Sequence, residues 1–386
     1  MRRWITVPIP IFLIACALAF ALFWVFGERA VDEPSSQLKP VSYAGIPGWA
    51  DDDHAKAFAA FARSCAREGK SGPLTDICRA AAAMGENVDA PAARNFFESR
   101  FTPHRYGGGE TSGFVTGYFE PELKGARTRS EQFNVPVYAV PGDLVQLYSD
   151  ETRAARNHQT TAVRETPQGR VAYFDRQEIE QGALDGRGLE ILYLENWADA
   201  FYMHIQGSGR IELDEGGQVR LGFAAKNGHP YTAIGKALIE RGAIAPEKMS
   251  MEAVRGWLDA NPDEARKLMW LNKSYIFFSE RDASESISGP IGAQGVALSP
   301  LRSLAVDTSI HAFGTPIWVE VRELDVQGSQ GFAHLMVAQD AGSAIKGRER
   351  GDIYFGSGAG AGANAGAVRH GAKFTILLPK TVGQGS

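Results

Sequence analysis

The chain has 386 residues, of which 40 are lysine or arginine and 45 are aspartate or glutamate, giving a formal net charge of −5. This balance excludes a nucleic-acid-binding protein that depends on a basic surface, and a content of 44% apolar and 22% charged residues excludes collagen, a coiled coil and wholesale disorder. Glycine is unusually frequent: its 43 residues are about 11% of the chain against a typical ~7%, which indicates many turns, strands, or backbone close to a ligand.

The N-terminus begins with a basic and then an apolar segment. After Arg2 and Arg3, residues 4–26 carry no charge, and these 23 residues are long enough to span a bilayer core of ~30 Å. We expect an uncleaved membrane anchor; a cleaved export signal ending near Gly27 and a lipoprotein acylated at Cys16 are the alternatives. All three export the rest of the chain, and the two arginines favour a cytoplasmic N-terminus.

Two further cysteines, Cys65 and Cys78, lie 13 residues apart in a segment of helical pattern. An isolated pair in an exported chain is more typical of a disulfide than of half a metal site, and His54 stands alone beside it. We expect a disulfide between Cys65 and Cys78, with two small buried thiols as the alternative.

The segment after the apolar N-terminus is predicted to be a linker followed by helices. Residues 30–50 are rich in proline and serine and are expected to form the linker. From residue 53 to 101 apolar residues such as Phe58 and Phe61 recur at helical spacing, and Pro91 is suited to open a further helix.

After the glycines at 107–109 the pattern changes to short strands with a few helices. Helices are predicted near 231–241, 250–259 and 262–271, with Ser250 as the N-cap of the second. Strands are predicted at 114–119, 135–140, 189–194, 274–278, 317–321, 335–338 and 374–378. Short strands with glycine turns favour a mainly β fold containing a barrel over a doubly wound sheet.

Three segments resemble functional motifs, but their sequence patterns favour structural roles. The glycine–alanine run at 356–366 is predicted to be a flexible loop, because no ribose-binding acid or phosphate-loop lysine follows it. His204 alternates with apolar residues and is predicted to be a strand residue, while Ser208 lies between glycines in a turn that faces a ligand. The eight histidines show no zinc-binding spacing, so we expect no metal and no cofactor.

Three aspartates lie at the ends of predicted apolar strands: Asp307, Asp340 and Asp352. Partial desolvation at such a position raises the pKa of a carboxyl group, which suits a general acid. Turn capping is the alternative for Asp307 and Asp352. Asp340 is the best placed of the three, because Gly342 leaves room for a ligand and Lys346 could tune the charge of the carboxylate.

Aromatic and acidic side chains of the kind that contact sugar rings are spread along the chain, with core packing as the alternative for most of them. These candidates are Tyr118, Glu120, Tyr138, Trp197, Tyr202 and Trp318.

Several motifs together resemble the MltA lytic transglycosylases. The first blocks are Gly117-Tyr-Phe-Glu-Pro-Glu-Leu123, Met203-His-Ile-Gln-Gly-Ser-Gly-Arg210, Asn227-Gly-His-Pro-Tyr231 and Asn272-Lys-Ser-Tyr275. The last part resembles the family's 3D domain, named for three aspartates, in Val306-Asp-Thr-Ser309, Phe313-Gly-Thr-Pro-Ile317, Ala338-Gln-Asp-Ala-Gly342, Ala344-Ile-Lys-Gly347 and Gly351-Asp-Ile-Tyr354. The motifs run in order from about residue 112 to 379. Ser343 departs from the pattern, which usually has a second glycine there, and the acylation site at Cys16 is weak for a family in which lipid anchoring is common.

The resemblance implies a fold of two β-domains behind the N-terminal segment. It implies a double-psi β-barrel with peripheral N-terminal helices, and a second barrel-like β-domain inserted into it, with a glycan groove between the two. The division expected along the chain is 1–29 anchor or signal, 30–50 linker, 51–130 helices and first part of the barrel, 131–272 inserted domain, and 273–380 second part of the barrel.

The resemblance also implies an activity and a location. The expected reaction is cleavage of the MurNAc–GlcNAc bond of peptidoglycan without water, giving a 1,6-anhydromuramoyl end, with Asp340 as the single catalytic acid and base. Asp307, Asp352 and Lys346 would support it. The glycan strand is the expected partner, and the chain would lie on the periplasmic side of a Gram-negative envelope. Substrate-binding candidates are Tyr118, Glu120, Gln206, Gly207 and Ser208.

Three other interpretations remain open at this point. A hydrolytic muramidase would share the substrate but would need a second carboxylate to activate water. A non-catalytic peptidoglycan-binding protein would keep the groove and lose turnover. An aspartic protease is weakly suggested by the segments at 306–309 and 339–342, which are too close in sequence for two protease lobes.

Overall fold

A computed structural model describes residues 38–67, 72–85, 87–107, 113–147, 161–281, 289–325 and 331–380. The apolar segment 4–26, including Cys16 and the predicted anchor or signal, lies outside these residues. Within the ranges described, no helix is long and apolar enough to cross a membrane.

The helices lie mainly in two stretches of the chain, before residue 101 and between residues 176 and 269. They are α1 (His54–Arg67), α2 (Thr75–Met84), α3 (Ala90–Arg100), α4 (Arg176–Glu178, continued by a π-helical turn at Ile179–Ala183), α5 (Trp197–Gln206), α6 (Ile234–Glu240), α7 (Met251–Ala260), α8 (Pro262–Met269) and α9 (Gly358–Gly366). The first three confirm the helical pattern at 53–101, and α6 to α8 confirm the three later helices. Ser250 caps α7 by accepting a hydrogen bond from the Ala253 amide, as predicted.

The strands form three sheets, and a strand is present at each of the seven ranges predicted between residues 114 and 378. They are β1 (Leu38–Pro40), β2 (Phe101–Tyr106), β3 (Gly113–Glu120), β4 (Glu122–Ala126), β5 (Val135–Tyr138), β6 (Val145–Leu147), β7 (Thr161–Thr166), β8 (Gly169–Ala172), β9 (Glu190–Leu194), β10 (Ser208–Leu213), β11 (Gln218–Lys226), β12 (Ile276–Glu280), β13 (Ser303–Val306), β14 (Pro316–Val321), β15 (Phe332–Asp340), β16 (Arg350–Ser357) and β17 (Arg369–Pro379).

The first sheet closes on itself. Its order is β1-β2-β17-β14-β15-β13-β16-β3, and β3 also pairs with β17, so that six of the strands form a ring. Two neighbouring pairs in this ring, β13 with β15 and β16 with β3, run parallel. Its apolar interior includes Val115, Leu304, Ile317 and Met336, all fully buried. The ring therefore has a packed core, and functional side chains must project from its strand ends.

The second sheet has the order β12-β11-β10-β4-β9-β5, and a third sheet has the order β6-β7-β8. Strands from both flanks of the long central segment meet in the second sheet, because β4 pairs with β10 and β12 pairs with β11. The chain thus leaves the ring after β3, builds the second and third sheets with α4 to α8, and returns to the ring at β13.

The N-terminal helices pack on the outside of the ring through aromatic side chains. Phe58 and Phe61 of α1 contact Phe96 and Phe97 of α3, with ring centroids 5.1 to 6.4 Å apart. Burying each such ring contributes about 1.5–3 kcal/mol. Cys65 and Cys78 are joined by a disulfide that ties α1 to α2, with their Cα atoms 5.0 Å apart.

The expected linker is wrong for the part that the structure describes. Trp49 is 2% exposed and packs against Trp318, with the two rings tilted and their centroids 5.3 Å apart. Its indole nitrogen donates to Glu98 at 2.8 Å. The prolines and serines of this stretch suggested a linker, but a buried tryptophan makes its second half part of the core.

The glycine–alanine run predicted to be a loop is instead helix α9, packed against β3. A Cβ atom at Gly362 would lie 2.8 Å from the Phe119 ring, and one at Gly117 would lie 2.8 Å from the Ala365 backbone. The helix and the strand approach closely because Gly362 and Gly117 have no side chains. This packing offsets the poor helix propensity of glycine.

The predicted strand around His204 is also wrong, since this residue lies on α5. The ring is buried between Tyr275 and Phe278, and its Nδ1 atom lies 3.0 Å from an Arg176 guanidinium nitrogen. Burial and the charge of Arg176 hold the pKa of His204 well below its usual value, so this histidine is a neutral part of the core.

Candidate active site

Asp340 lies at the end of β15, where a buried apolar strand reaches the rim of the ring. The preceding residues 335–338 are fully buried. Gln339, also fully buried, fixes this strand end to α1, because its side-chain amide donates to the Ala60 carbonyl and to the Ser64 hydroxyl, both at 2.8 Å. The neighbouring Asp340 is half-buried and held on a rigid support. Sequence reasoning overlooked Gln339, although a polar residue within an apolar strand is a usable signal.

The Asp340 carboxylate accepts hydrogen bonds at both of its oxygens. The Tyr118 hydroxyl donates to Oδ2 at 2.8 Å, and the backbone amides of Ala293 and Ala341 donate to Oδ1 at 2.8 and 2.9 Å. Burial, and then the charge of Asp340, raises the pKa of Tyr118 well above its usual value, so the hydroxyl stays protonated. The carboxylate is therefore oriented by donors from three separate segments of the chain.

Asp352 shares this site. It lies on β16 opposite Thr116 of β3, and the Thr116 hydroxyl donates to its Oδ1 at 2.7 Å while accepting from Arg350 at 2.8 Å. Burial raises the pKa of Asp352 to about 6, against the opposing effects of Thr116 and Arg350 and with a further contribution from the charge of Asp340. The strands of Asp340 and Asp352 flank β13, where both residues lie opposite Ala305, and we call these two aspartates the carboxyl pair.

Asp307 belongs to a different cluster, in the loop after β13. It is 5% exposed and accepts hydrogen bonds from the Ser309 hydroxyl at 2.7 Å and from the Gly347 amide at 3.0 Å. Burial alone would raise the pKa of Asp307, but these hydrogen bonds and the charge of Lys346 outweigh it and lower the pKa. The Lys346 ammonium lies 3.5 Å from the Asp307 carboxylate. The structure thus brings Asp340 and Asp352 together and joins Lys346 to Asp307.

Helix α5 leads into β10 of the second sheet, and its C-terminal end lies in the same region as Tyr118. The side-chain oxygen of Gln206 accepts from the Phe119 amide at 3.0 Å, next to Tyr118. Gly207 ends the helix in the left-handed conformation, with open space where a side chain would be. Ser208 is 8% exposed at the start of β10. Gln206 therefore connects the helix to the strand that carries Tyr118.

Glu120 has surroundings unlike those of a ligand-binding group. It is fully buried, and its carboxylate oxygens lie 2.9 and 3.0 Å from the Arg220 guanidinium. The Ser357 hydroxyl also donates to it at 2.7 Å. These contacts tie β3 to β11 and β16, which is a structural arrangement.

Tyr231 ends the motif Asn227-Gly-His-Pro-Tyr231, and the charge of Asp352 acts on its hydroxyl. It is 38% exposed, and burial, then the charge of Asp352, raises its pKa. Its loop is rigid because Asn227, fully buried, donates to the carbonyls of Phe174 and Lys273, both at 2.9 Å. A buried asparagine in an Asn-Gly turn was the signal that could have identified this support.

The remaining aromatic candidates are not at this site. Trp318 is fully buried in the core, and Tyr138 is 2% exposed. Trp197 and Tyr202 pack against the cluster of α5 to α8, where the Tyr202 hydroxyl donates to the Met251 carbonyl at 3.2 Å. Among the residues described, no three His, Cys, Asp or Glu side chains gather as metal ligands.

Comparisons with known proteins match this architecture. Two family models align with consecutive parts of the chain: the MltA specific insert domain with residues 114–279 and the 3D domain with residues 302–378. A membrane-bound lytic murein transglycosylase A of Vibrio cholerae is 38% identical over 273 residues, which is 68% of this chain and 65% of that protein. The alignment thus spans just under two thirds of that relative's length.

Two solved structures extend the comparison over most of the chain. The crystal structure of a membrane-bound lytic murein transglycosylase from Agrobacterium tumefaciens superposes with a TM-score of 0.80 and 38% identity, covering 89% of this chain and 98% of that one. The crystal structure of E. coli MltA with bound chitohexaose has a TM-score of 0.65 and 28% identity, covering 91% of this chain and 97% of that one.

Proposed function

This chain belongs to the membrane-bound lytic murein transglycosylase A family, and we propose that it cleaves the MurNAc–GlcNAc β-1,4 bond of peptidoglycan without using water. The family membership and the relative that binds chitohexaose, a β-1,4-linked amino-sugar chain, support a glycan as substrate. The observation that carries the proposal is the oriented carboxyl group of Asp340 beside Tyr118 at the rim of the ring.

In the first step, protonated Asp340 donates its proton to the glycosidic oxygen. The C1–O bond then breaks, the electron pair stays with the departing GlcNAc oxygen, and positive charge develops at C1 of MurNAc. The Asp340 carboxylate formed in this step is stabilised by Tyr118 and by the amides of Ala293 and Ala341. These donors strengthen as charge develops, which is the condition for lowering the barrier.

In the second step, the C6 hydroxyl of the same MurNAc attacks C1 and gives its proton to the Asp340 carboxylate. This forms the 1,6-anhydro ring and restores the acid. Because the nucleophile is part of the substrate, it has a high effective concentration and no second carboxylate is needed to activate water.

Asp352 assists by sharing the charge of the site. Its pKa of about 6 reflects burial and the neighbouring negative charge of Asp340. Near neutral pH the pair binds a proton more readily than two isolated carboxylates, because ionising both places like charges side by side. We propose that this favours the protonated state that the first step requires.

The other residues have supporting roles in this proposal. Tyr118 and Tyr231 line the substrate side, and Gln206, Gly207 and Ser208 contact the glycan strand from the second sheet. Asp307, paired with Lys346, holds the loop that follows Asp340. Glu120 was expected to bind substrate, but its full burial against Arg220 supports a role in joining β3 to the second sheet.

We propose that the closed ring is a double-psi β-barrel and that the second sheet forms the inserted domain, with the groove between them. Sheet membership supports domain junctions between β3 and β4 and after β12, close to the expected 130 and 272. We propose further that the chain acts on the periplasmic side of a Gram-negative envelope and that residues 4–26 anchor or export it.

One observation favours a second candidate reaction, hydrolysis. A water-using glycosidase needs two carboxyl groups at the bond, and the charge of Asp340 contributes to the raised pKa of Asp352 on the strand across β13. A non-catalytic peptidoglycan-binding protein would show no turnover at all.

Digestion of purified sacculi in ¹⁸O-labelled water separates these three possibilities by mass spectrometry. We expect soluble muropeptides whose new muramoyl ends are unlabelled and lighter than the labelled hydrolysis products by one H₂¹⁸O, about 20 Da. Labelled reducing ends would establish hydrolysis, and intact sacculi would establish a non-catalytic protein.

A further inference from the structure

A cavity of about 250 Å³ lies in the second sheet domain, away from the carboxyl pair. It forms where the edge strand β5 and its neighbour β9 meet the π-helical turn after α4 and the start of α5. Its lining includes Arg129, Asp185, Glu190, Tyr193 and Trp197. Pockets for drug-sized ligands occupy about 300–1,000 Å³, so this volume suits a group the size of one amino acid and is small for a glycan chain.

One acid of the cavity is already neutralised by its own partners. Glu180 receives hydrogen bonds from the Arg176 guanidinium at 3.1 Å and from the Trp270 indole at 2.7 Å, and Arg266 lies 3.8 Å from it. The same Arg266 covers one face of Trp197 at 4.2 Å. Glu180 and Trp197 line the cavity, and their partners Arg176, Arg266 and Trp270 lie behind this lining.

The charged residues at the rim of the cavity differ from Glu180 in this respect. Over the part of the chain that the structure describes, no ion pair within 4 Å involves Arg129, Asp185 or Glu190. Charges of both signs act on Tyr193. Burial and then the negative charge of Glu190 raise its pKa, whereas the positive charge of Arg129 lowers it. A cation and two anions thus face the same small space.

The backbone conformation at Gly182 leaves room for the Asp185 carboxylate. Gly182 has a φ of +104° within the π-helical turn, and a Cβ atom there would lie 2.7 Å from a carboxylate oxygen of Asp185. The Asp185 carboxylate occupies this room and accepts from the Tyr138 hydroxyl at 3.3 Å. π-Helical turns are rare and are frequent at functional sites.

We propose that this cavity binds an amino-acid zwitterion, with its ammonium between Asp185 and Glu190 and its carboxylate on Arg129, and that the natural ligand is the free end of a diamino acid in a peptidoglycan stem peptide. Aromatic walls such as Tyr193 suit the aliphatic part of such a side chain and the face of its ammonium. The choice of ligand rests on the proposed function, because the stem peptide is attached to the same polymer.

The cavity also has a physical connection to the active site. Trp197 begins α5 and Gln206 ends it, beside Tyr118, so the two sites are separated by one helix of about 15 Å. A stem peptide held at the cavity would add affinity for peptide-bearing strands without taking part in bond cleavage.

Calorimetric titration of the full chain with three related compounds tests the charge pattern. meso-2,6-Diaminopimelate carries both charges at each end, pimelate carries only carboxylates, and 1,5-diaminopentane carries only ammonium groups. We expect diaminopimelate to bind with a Kd of about 1 mM and the other two at least tenfold more weakly. Equal binding of all three, or none, would overturn the proposal.

Substitutions at the rim assign each charge to its residue. Glu190→Gln should weaken diaminopimelate and 1,5-diaminopentane about tenfold, and Arg129→Gln should weaken diaminopimelate and pimelate about tenfold. Arg170→Gln and Glu165→Gln are the matched controls, because this exposed ion pair of the third sheet lies outside the cavity. Rim variants that behave like the controls would also overturn the proposal.

Turnover distinguishes failure of this inference from failure of the proposed function. On glycan strands stripped of peptide, the rim variants should retain the wild-type rate, whereas on peptide-bearing strands their kcat/KM should fall about fivefold to tenfold. If the wild-type chain cleaves bare strands but does not bind diaminopimelate, the inference alone is wrong. If diaminopimelate binds but no strand is cleaved, the proposed function is wrong.

Discussion

Asp307 and Asp352 follow the same sequence pattern, an aspartate beside an apolar strand, but their surroundings give them opposite proton affinities. Asp307 receives hydrogen bonds from Ser309 and Gly347 and faces Lys346, and its pKa is lowered. Asp352 has the Thr116 hydroxyl as a partner, and burial, with a smaller contribution from the charge of Asp340, raises its pKa to about 6 against the effects of Thr116 and Arg350. The balance between burial and the donors and cations around each carboxyl group decides which aspartate holds a proton near neutral pH.

The difference also assigns each aspartate to a task. A carboxylate whose pKa is lowered, as at Asp307, is suited to fixing a loop, whereas a carboxyl group whose pKa is raised, as at Asp352, can hold a proton beside the catalytic acid. Four predictions test this division of tasks. The first concerns Asp340, the proposed catalytic acid.

Asp340→Asn should abolish turnover while leaving the fold intact. An amide cannot deliver a proton, and it removes the carboxylate that Tyr118 and two backbone amides stabilise, so we expect a loss of at least ~10³-fold in kcat. Release of soluble muropeptides from sacculi measures the rate. Asp76→Asn, on the exposed surface of α2, is the matched control and should retain full activity. Residual activity of Asp340→Asn within tenfold of the wild type would contradict the assignment.

Asp352→Asn should lower kcat by roughly 10–100-fold and change the pH profile. Removing one negative charge makes the remaining carboxyl group of the pair easier to ionise. The alkaline limb of kcat/KM should therefore move to lower pH, because the active protonated state is lost earlier. A variant with a reduced rate but an unmoved limb would show that Asp352 acts only through structure.

Much of the fold could be predicted from the sequence because its elements obey local rules. The strand at 316–321 and the predicted part of the last strand, 374–378, are mainly apolar and include β-branched residues, and α7 and α8 begin with a capping serine and a proline. Helix α9 could not be predicted, since its stability comes from contact with β3, which no local pattern shows. His204 was assigned to a strand because five alternating residues do not separate the period of a strand from that of a helix.

The candidate site was predictable in part. Asp340 follows an apolar strand and precedes a glycine, and this local pattern was sufficient to select it. The division between Asp307 and Asp352 depends on Thr116, more than 200 residues away, and on Lys346, so it required the fold. Tyr231 and Gln339 likewise owe their positions to contacts between distant segments, through Asn227 and α1.

Asp307→Asn should have a smaller effect on activity than either change above. The loop loses the charge that pairs with Lys346 but keeps one oxygen to accept from Ser309 or Gly347, so we expect kcat to fall about twofold to tenfold. The pH profile should keep the wild-type limb, since Asp307 is not part of the carboxyl pair. If Asp307→Asn shifted the alkaline limb as much as Asp352→Asn, both aspartates would affect the same titration, and their assignment to separate tasks would be wrong.

The smallest expected effect is on stability, and its sign differs between the two aspartates. Because the pKa of Asp352 in the folded chain, about 6, exceeds an unfolded value of ~3.9, the native state loses stability as the pH rises between these values. Asp352→Asn removes that loss, so its stability relative to the wild type should increase from pH 4 to pH 7, by about 1 kcal/mol or roughly 2 °C in Tm for a half-buried group.

Asp307→Asn should show the opposite trend, because a lowered pKa contributes stability above the unfolded value of ~3.9 that is lost as the pH falls through the folded value. The variant should be less stable than the wild type at pH 7 and approach it below pH 4. Calorimetric Tm values for the wild type and both variants at pH 4, 5, 6 and 7 measure the two slopes. Slopes of opposite sign would support the two proton affinities, and slopes of the same sign would remove the distinction between the two carboxyl groups.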